Sequence, residues 1–269
     1  MEADRKGVLV IIGGKEDKKN ECVILKKVVE LADYADGKII ILTVATDYPS
    51  DVGREYKHLF RQLGASFVEA LHIETREDAN DEERLERIED ASCVYFTGGD
   101  QLKITSLIGG TKMEVYLRES FEAGLVIAGT SAGASVMSET MITSGDDDKA
   151  PRRCTVKMAP GLGLIDGVVI DQHFAQRGRI GRLLAAVSQN PKVLGIGIDE
   201  DTAIVVRPNH SFEVIGSNAV TILDGINCSY TNVSESRPDD ILAFTDITLH
   251  ILPAEYKYDL TSRLPIIRR

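Results

Sequence analysis

The amino-acid sequence predicts an α/β fold on a mostly parallel central sheet, and three observations carry that reading. Short β-branched apolar runs alternate with longer amphipathic segments through the first three quarters of the chain, the pattern of βαβ units. Those runs are apolar at successive positions, as strands covered on both faces are. Glycine-rich turns follow several of them, at the carboxyl ends where such sheets gather functional groups.

Taken in order, Gly7 to Ile12 (GVLVII) reads as a buried strand, and Gly13-Gly14-Lys15-Glu16-Asp17 as the turn after it. From about Asn20 to Tyr34, Val23, Leu25, Val28, Val29 and Leu31 recur at helical spacing. Lys38 to Val44 is a second strand. Asp51 to Leu63 carries a helical stripe of Val52, Tyr56, Leu59, Phe60 and Leu63, and Gly64 ends it. Ser66 to His72 is a third, shorter strand, and Asp81 to Glu89 a charged helix with Leu85 and Ile88 inward. Cys93 to Phe96 is a strand ending at Thr97-Gly98-Gly99-Asp100-Gln101. Helices are expected over Gln101 to Leu107 and Met113 to Ala123, then a strand at Leu125 to Ile127.

Farther on, Asp146-Asp147-Asp148-Lys149 reads as a solvated loop with no chemistry. Gly167 to Ile170 is a strand ending at Asp171-Gln172-His173-Phe174, Ile180 to Ser188 a helix, and Val193 to Ile198 a strand ending at Asp199-Glu200-Asp201-Thr202. After that the pattern changes. Ala203 to Val206, Ser211 to Ile215, Val220 to Leu223, Leu242 to Leu249 and the tail read as short strands. The expectation is one catalytic domain over 1–269: an α/β core to about residue 202 and a β-rich C-terminal extension, about 203–269, packed on the same core.

Composition narrows the function. With 269 residues the chain buries a substantial core without staples. Acids outnumber bases 42 to 31, for a net charge of −11, which argues against nucleic-acid binding through a basic surface. Cys22, Cys93, Cys154 and Cys228 are far apart and form no C-x-x-C pair, so the expectation is reduced thiols in a cytoplasmic protein, without a metal site. The charged start has no signal-peptide core, and no apolar stretch is long enough to span a membrane.

The chemistry centres on Gly129-Thr130-Ser131-Ala132-Gly133, which matches the G-x-S-x-G nucleophile elbow between a strand and a helical segment. A serine on so sharp a turn needs nearly side-chain-free neighbours, and Ala132, Gly133 and Ala134 provide them. The bland alternative is a glycine-rich turn that packs tightly or holds a phosphate. A serine hydroxyl needs a base. His58, His72, His210 and His250 sit in no motif and read as structural or surface residues. His173 stands at a strand end, level with the serine, and is the candidate base. An acid must orient it, and Asp199, Glu200 and Asp201 all follow the next strand; spacing does not choose among them. For the oxyanion, the N–H of Ala132 and one from the Gly98-Gly99-Asp100 turn, at Gly99, are the candidate donors. Arg177, Arg179 and Arg182 suit carboxylate recognition, with a solvated helix face as the alternative. Gln101, Asp171 and Gln172 add polar groups near the serine.

These motifs together resemble cyanophycinases, serine peptidases of the family that also contains aspartyl dipeptidase. The resemblance rests on Gly98-Gly99-Asp100-Gln101, Gly129 to Ala134, Asp171-Gln172-His173-Phe174 with Arg177, Arg179 and Arg182, and Gly197 to Ala203. It runs along nearly the whole chain. It implies a class I glutamine-amidotransferase-like, flavodoxin-like three-layer sandwich, with Ser131 as nucleophile, His173 as base and Glu200 as the acid. It implies cyanophycin, a polyaspartate bearing arginine on each β-carboxylate, as substrate, with β-Asp-Arg as product, no cofactor and a homodimeric state. The rivals are an aspartyl or isoaspartyl dipeptidase and an inactive binding homologue.

Overall fold

The computed structural model describes residues 6–33, 36–147 and 149–267. Strand β1 (Leu9–Ile12) is followed by α1 (Val23–Leu31), β2 (Lys38–Leu42), α2 (Pro49–Gln62), β3 (Phe67–Leu71), α3 (Glu82–Glu89) and β4 (Cys93–Phe96). Then come α4 (Gln101–Ile108), α5 (Lys112–Glu122), β5 (Val126–Thr130) and the short α6 (Ala132–Ser135). A hairpin of β6 (Thr140–Gly145) and β7 (Val156–Pro160) leads to β8 (Val168–Gln172), α7 (Ile180–Gln189) and β9 (Leu194–Ile198). The chain closes with β10 (Thr202–Val206), β11 (Ser211–Gly216), β12 (Ala219–Asp224), β13 (Thr248–Pro253), β14 (Lys257–Asp259) and β15 (Leu264–Ile266).

The central sheet has nine strands in the order β15-β14-β11-β10-β1-β5-β4-β2-β3. The half from β1 to β3 is parallel, and the added strands from β10 outward are antiparallel. The connections β1→β2 and β2→β3 move one way across the sheet; β3→β4 and β4→β5 move back. Right-handed crossovers therefore put α1 and α2 on one face and α3, α4 and α5 on the other. The buried clusters divide in the same way. Val10, Ile12, Ile39 and Ile41 pack under α1 and α2, while Leu9, Ile11, Ile40 and Leu42 face the opposite helices.

The structure bears out the mostly parallel central sheet and adds a second sheet beside it. Strands β8 and β9 do not join the central sheet; with β12 and β13 they form a second, four-stranded one, ordered β13-β12-β9-β8. Its inner face, through Ile170, Ile196, Ile198 and Ile222, shares the large core with α4, α5 and α6. Its outer face, through Val169 and Leu223, packs beneath Leu183 and Val187 of α7. Periodicity is blind to this partition, because strands buried on both faces look alike in either sheet. The β6–β7 hairpin was not predicted. It buries only part of its length and shifts register between Ile142 and Ser144, so its alternation is broken. In place of a strand over Leu242 to Leu249, β13 begins at Thr248; the stretch before it is irregular, tied by single bridges at Ile241 and Phe244. The predicted helix end at Tyr34 lies outside the described residues, as do Asp148 and the first five residues of the charged N-terminus.

Local signals match the elements. Asp81 caps α3 by accepting from the Glu83 N–H (2.8 Å), and Asp100 caps α4 through the Leu102 N–H (2.8 Å). Among the described residues, no helix is long and apolar enough to cross a membrane.

Candidate active site

The elbow forms where β5 meets α6. Ser131 has φ 53° and ψ −107°, outside the regions L-residues favour, at a cost of roughly 1–3 kcal/mol. The neighbouring glycines make the turn possible. A Cβ on Gly133 would lie 2.6 Å from the Phe96 carbonyl oxygen, and one on Gly129 would lie 2.5 Å from the Gly133 carbonyl oxygen. The backbone is held on both sides of the serine. Its N–H donates to the Ile12 carbonyl (3.0 Å), and its own carbonyl accepts from Ala134 and Ser135.

His173 follows β8, also with positive φ (49°). Its backbone N–H donates to the Gly13 carbonyl (2.8 Å), which ties the end of β8 in the second sheet to the end of β1 in the first. The imidazole lies against Gly14, where a Cβ would overlap the ring. Its Nε2 is 3.0 Å from Ser131 Oγ, and its Nδ1 is 2.8 Å from Glu200 Oε1. Ser131, His173 and Glu200 thus form a continuous chain of hydrogen bonds, arranged as acyl-transfer chemistry requires.

The three acids after β9 have separate tasks. Asp199 accepts from the N–H of Ala175 (2.9 Å) and that of Ala219 (3.3 Å). Asp201 accepts from the Asp17 N–H (2.7 Å) and the Ser217 hydroxyl (2.5 Å). Only Glu200 among the three reaches His173. Its other partner is Lys15 Nζ at 2.9 Å, and its backbone is pinned by Gln176 and Asn218.

Burial pushes the Glu200 carboxyl up, but Lys15 and His173 outweigh it and hold the group below its ordinary value. For His173, burial is the largest influence and lowers the pKa; the bond to Glu200 opposes it, Arg177 adds to it, and the net shift is downward. The imidazole is therefore biased toward the neutral form that a base needs.

Gly98 is close to the serine: a Cβ there would be 3.4 Å from that of Ser131. Gly99 has φ 146° and lies against the Ala45 carbonyl. Among the described residues no backbone carbonyl accepts from the Gly99 N–H, and the Ala132 N–H opens α6, where no intrahelical partner exists.

The residues expected at the substrate are placed differently from one another. Arg177 is exposed, and among the described residues no carboxylate pairs with it. Gln101 donates its amide N–H groups to the carbonyls of Ile142 (3.0 Å) and Thr143 (2.9 Å), fastening α4 to β6. The other four meet each other instead of open space. Arg182 is 5% exposed and binds the fully buried Asp171 with both ends of its guanidinium. Arg179 donates to the Gln172 carbonyl (2.6 Å) and side chain (3.2 Å) and to Asp147 (2.8 Å). Arg179 at the N-cap and Arg182 in the first turn of α7 are both buried, while Ile180 between them is exposed.

Asp147, read as part of a loop without chemistry, thus bridges the two arginines, with Arg182 Nη1 at 3.6 Å. Lys15 and Gln176, which hold Glu200, are the other residues that sequence reasoning missed. The Gly13-Gly14 turn falls at a strand end, where functional groups gather, but nothing in the sequence singles out Lys15 within it. No group of three or more metal-ligating side chains occurs among the described residues.

Comparison with known proteins bears on this geometry. A family model described as peptidase family S51 matches residues 8–215. A cyanophycinase from Geminocystis herdmanii is 40% identical to the chain, covering 96% of this chain and 95% of its own. One from Thermosynechococcus vestitus is 38% identical, over 97% of this chain and 81% of its own. Among solved structures, a peptidase from an acI-B1 actinobacterium has a TM-score of 0.64 at 28% identity, covering 83% of this chain and 93% of that one. A protein from Listeria monocytogenes, at 18% identity, shares the fold with a TM-score of 0.53, covering 78% of this chain and 98% of that one.

Proposed function

The chain belongs to peptidase family S51 and is a peptidase; from that premise we propose that it is a serine exopeptidase that hydrolyses cyanophycin to β-Asp-Arg dipeptides. The observation that carries the reading is the unbroken line from Ser131 Oγ through the His173 ring to Glu200. The substrate follows from the relatives, which are cyanophycinases over nearly the full length of this chain.

In this reading Ser131 Oγ attacks a backbone carbonyl carbon while His173 Nε2 takes the hydroxyl proton. Glu200 holds the Nδ1 proton and stabilises the imidazolium. The N–H groups of Gly99 and Ala132 receive the oxyanion. Collapse of the tetrahedral intermediate expels the amine, which leaves with the proton from His173. Water then hydrolyses the acyl-enzyme by the same route.

Arg177 is the proposed anchor for the free carboxylate on each arginine of the polymer, since it stands exposed beside the base. Gln101 holds α4 to β6, while Asp171, Gln172, Arg179 and Arg182 support the segment that carries Arg177. A cytoplasmic homodimer without nucleic-acid partner, metal or cofactor completes the reading, with the net charge of −11 supporting the absence of a nucleic-acid partner. The test is digestion of insoluble cyanophycin. Soluble β-Asp-Arg should appear with the unaltered protein and be absent with Ser131→Ala. Equal release by the variant would remove Ser131 from the mechanism.

A further inference from the structure

Beneath the nucleophile elbow lies a carboxylate that the triad does not use. Glu16 is 4% exposed, four residues past the end of β1. Strand β1 pairs with β5 in parallel, with Ile12 opposite Thr130, so the Glu16 loop and the elbow leave the sheet side by side. Three hydroxyls from three other elements converge on Glu16. Thr130, the residue before the nucleophile, donates to Oε2 at 2.6 Å. Tyr95 of β4 donates to Oε1 at 3.0 Å, and Tyr56 of α2 donates to the same oxygen. Burial first, and the Glu16 charge second, push both tyrosine hydroxyls well above their ordinary values, so both remain donors.

The same loop also touches His173, Glu200 and the neighbouring Asp201. The Gly13 carbonyl accepts from the His173 N–H, and the Gly14 carbonyl accepts from the Asp201 N–H (2.9 Å). Lys15 pairs with Glu200, and the Asp17 N–H donates to Asp201. Glu16, in the middle of this loop, is the side chain that anchors it to the floor of the site.

We propose that Glu16 is a positioning residue for the nucleophile: seated on Tyr56 and Tyr95, it holds the Thr130 hydroxyl and so fixes the backbone from which Ser131 reaches His173. The inference rests on Ser131 being the nucleophile. A strained turn persists only where its surroundings over-determine it. The Ser131 N–H to Ile12 bond fixes the turn from one side of the peptide; the Thr130–Glu16 bond fixes it from the other. An apolar residue at position 16 would fill the space, but it would give the three hydroxyls no acceptor and the loop no anchor. Glu16 touches no reacting atom, so its loss should act on turnover and leave substrate binding unchanged.

The experiment compares Thr130→Val, Thr130→Ser and Glu16→Gln. Two quantities are read for each: the rate constant for labelling of Ser131 by a fluorophosphonate, and kcat per labelled site on cyanophycin, with KM measured alongside. Counting labelled sites removes the contribution of misfolded protein. Thr130→Val should lose about tenfold in both labelling rate and kcat with KM nearly unchanged, the scale expected when a reacting group is misplaced by a fraction of an ångström. Thr130→Ser, which keeps the hydroxyl, should restore most of the loss. Glu16→Gln should fall at least as far as Thr130→Val; if it does not fold, the two Thr130 variants decide alone. Labelling and turnover of Thr130→Val equal to the unaltered protein would overturn the inference, as would equal losses in Val and Ser. Failure of the unaltered protein to be labelled at Ser131 would overturn the nucleophile assignment and this inference with it. Normal labelling of the unaltered protein together with an indifferent Thr130→Val would overturn this inference alone.

Discussion

As the proposed base, His173 can act only while its imidazole is neutral. Burial lowers its pKa below the ordinary 6.5, the Glu200 bond opposes the shift and the nearby Arg177 charge reinforces it. A lowered pKa keeps the base deprotonated further into acid. The acid limb of kcat/KM should therefore have its midpoint below about 6.5. Arg177→Gln removes a positive charge that disfavours the imidazolium, so its limb should move to higher pH, and its KM on the polymer should rise. A pH–rate profile on both proteins checks this, and an unaltered enzyme whose limb lies above that of a free histidine would contradict it. Gly14 is the residue against which the His173 ring rests. With φ 101° and the imidazole against its Cα, it has no room for a methyl group. Gly14→Ala should lower kcat by about a hundredfold or more through displacement of the ring, and parent-like turnover in that variant would show that the ring moves freely.

The element that carries His173 runs from β8 through a turn into α7, and its underside is ionic. Asp171 is fully buried, and burial pushes its carboxyl up against the opposing pull of Arg182 and Arg179. Removing Arg182 would strand this carboxylate. Arg182→Met should cost about 3–5 kcal/mol in urea unfolding, whereas Arg177→Met, at an exposed position, should change stability by less than about 0.5 kcal/mol. Equal, small effects would mean that the buried pair is dispensable. The contrast also marks how far sequence reasoning reaches at this scale. The elbow was legible because a strained serine turn demands small residues at fixed offsets. His173 was legible because it ends an apolar run. The three arginines looked equivalent, since charge and spacing do not say which side of a turn faces inward. Asp147 was invisible for the same reason: its role depends on a loop folding back over α7, a contact between distant parts of the chain.

Across the whole molecule the site lies where two sheets meet. Ser131 leaves the central sheet, His173 and Glu200 leave the second, and the chain passes from one sheet to the other through Asp199-Glu200-Asp201. The alternation of strands and helices made the parallel half readable. The second sheet was not readable, because its strands are as apolar as the others. The matched family model ends at residue 215, yet later strands complete both sheets: β12 flanks β9 directly, with Val220 opposite Ile198, and β14 extends the central sheet. Tyr258 of β14 is fully buried and stacks on Phe212 with ring centroids 5.4 Å apart. Tyr258→Ala should cost about 3–5 kcal/mol in urea unfolding; a loss under about 1 kcal/mol would mean that the C-terminal strands lie outside the cooperative core. The most direct test of the whole account is incubation of the purified protein with insoluble cyanophycin and mass spectrometry of what dissolves. The account predicts β-Asp-Arg from the unaltered protein and none from Ser131→Ala. Folded, phosphonate-reactive protein that releases nothing would contradict the substrate assignment, and release by Ser131→Ala would contradict the mechanism.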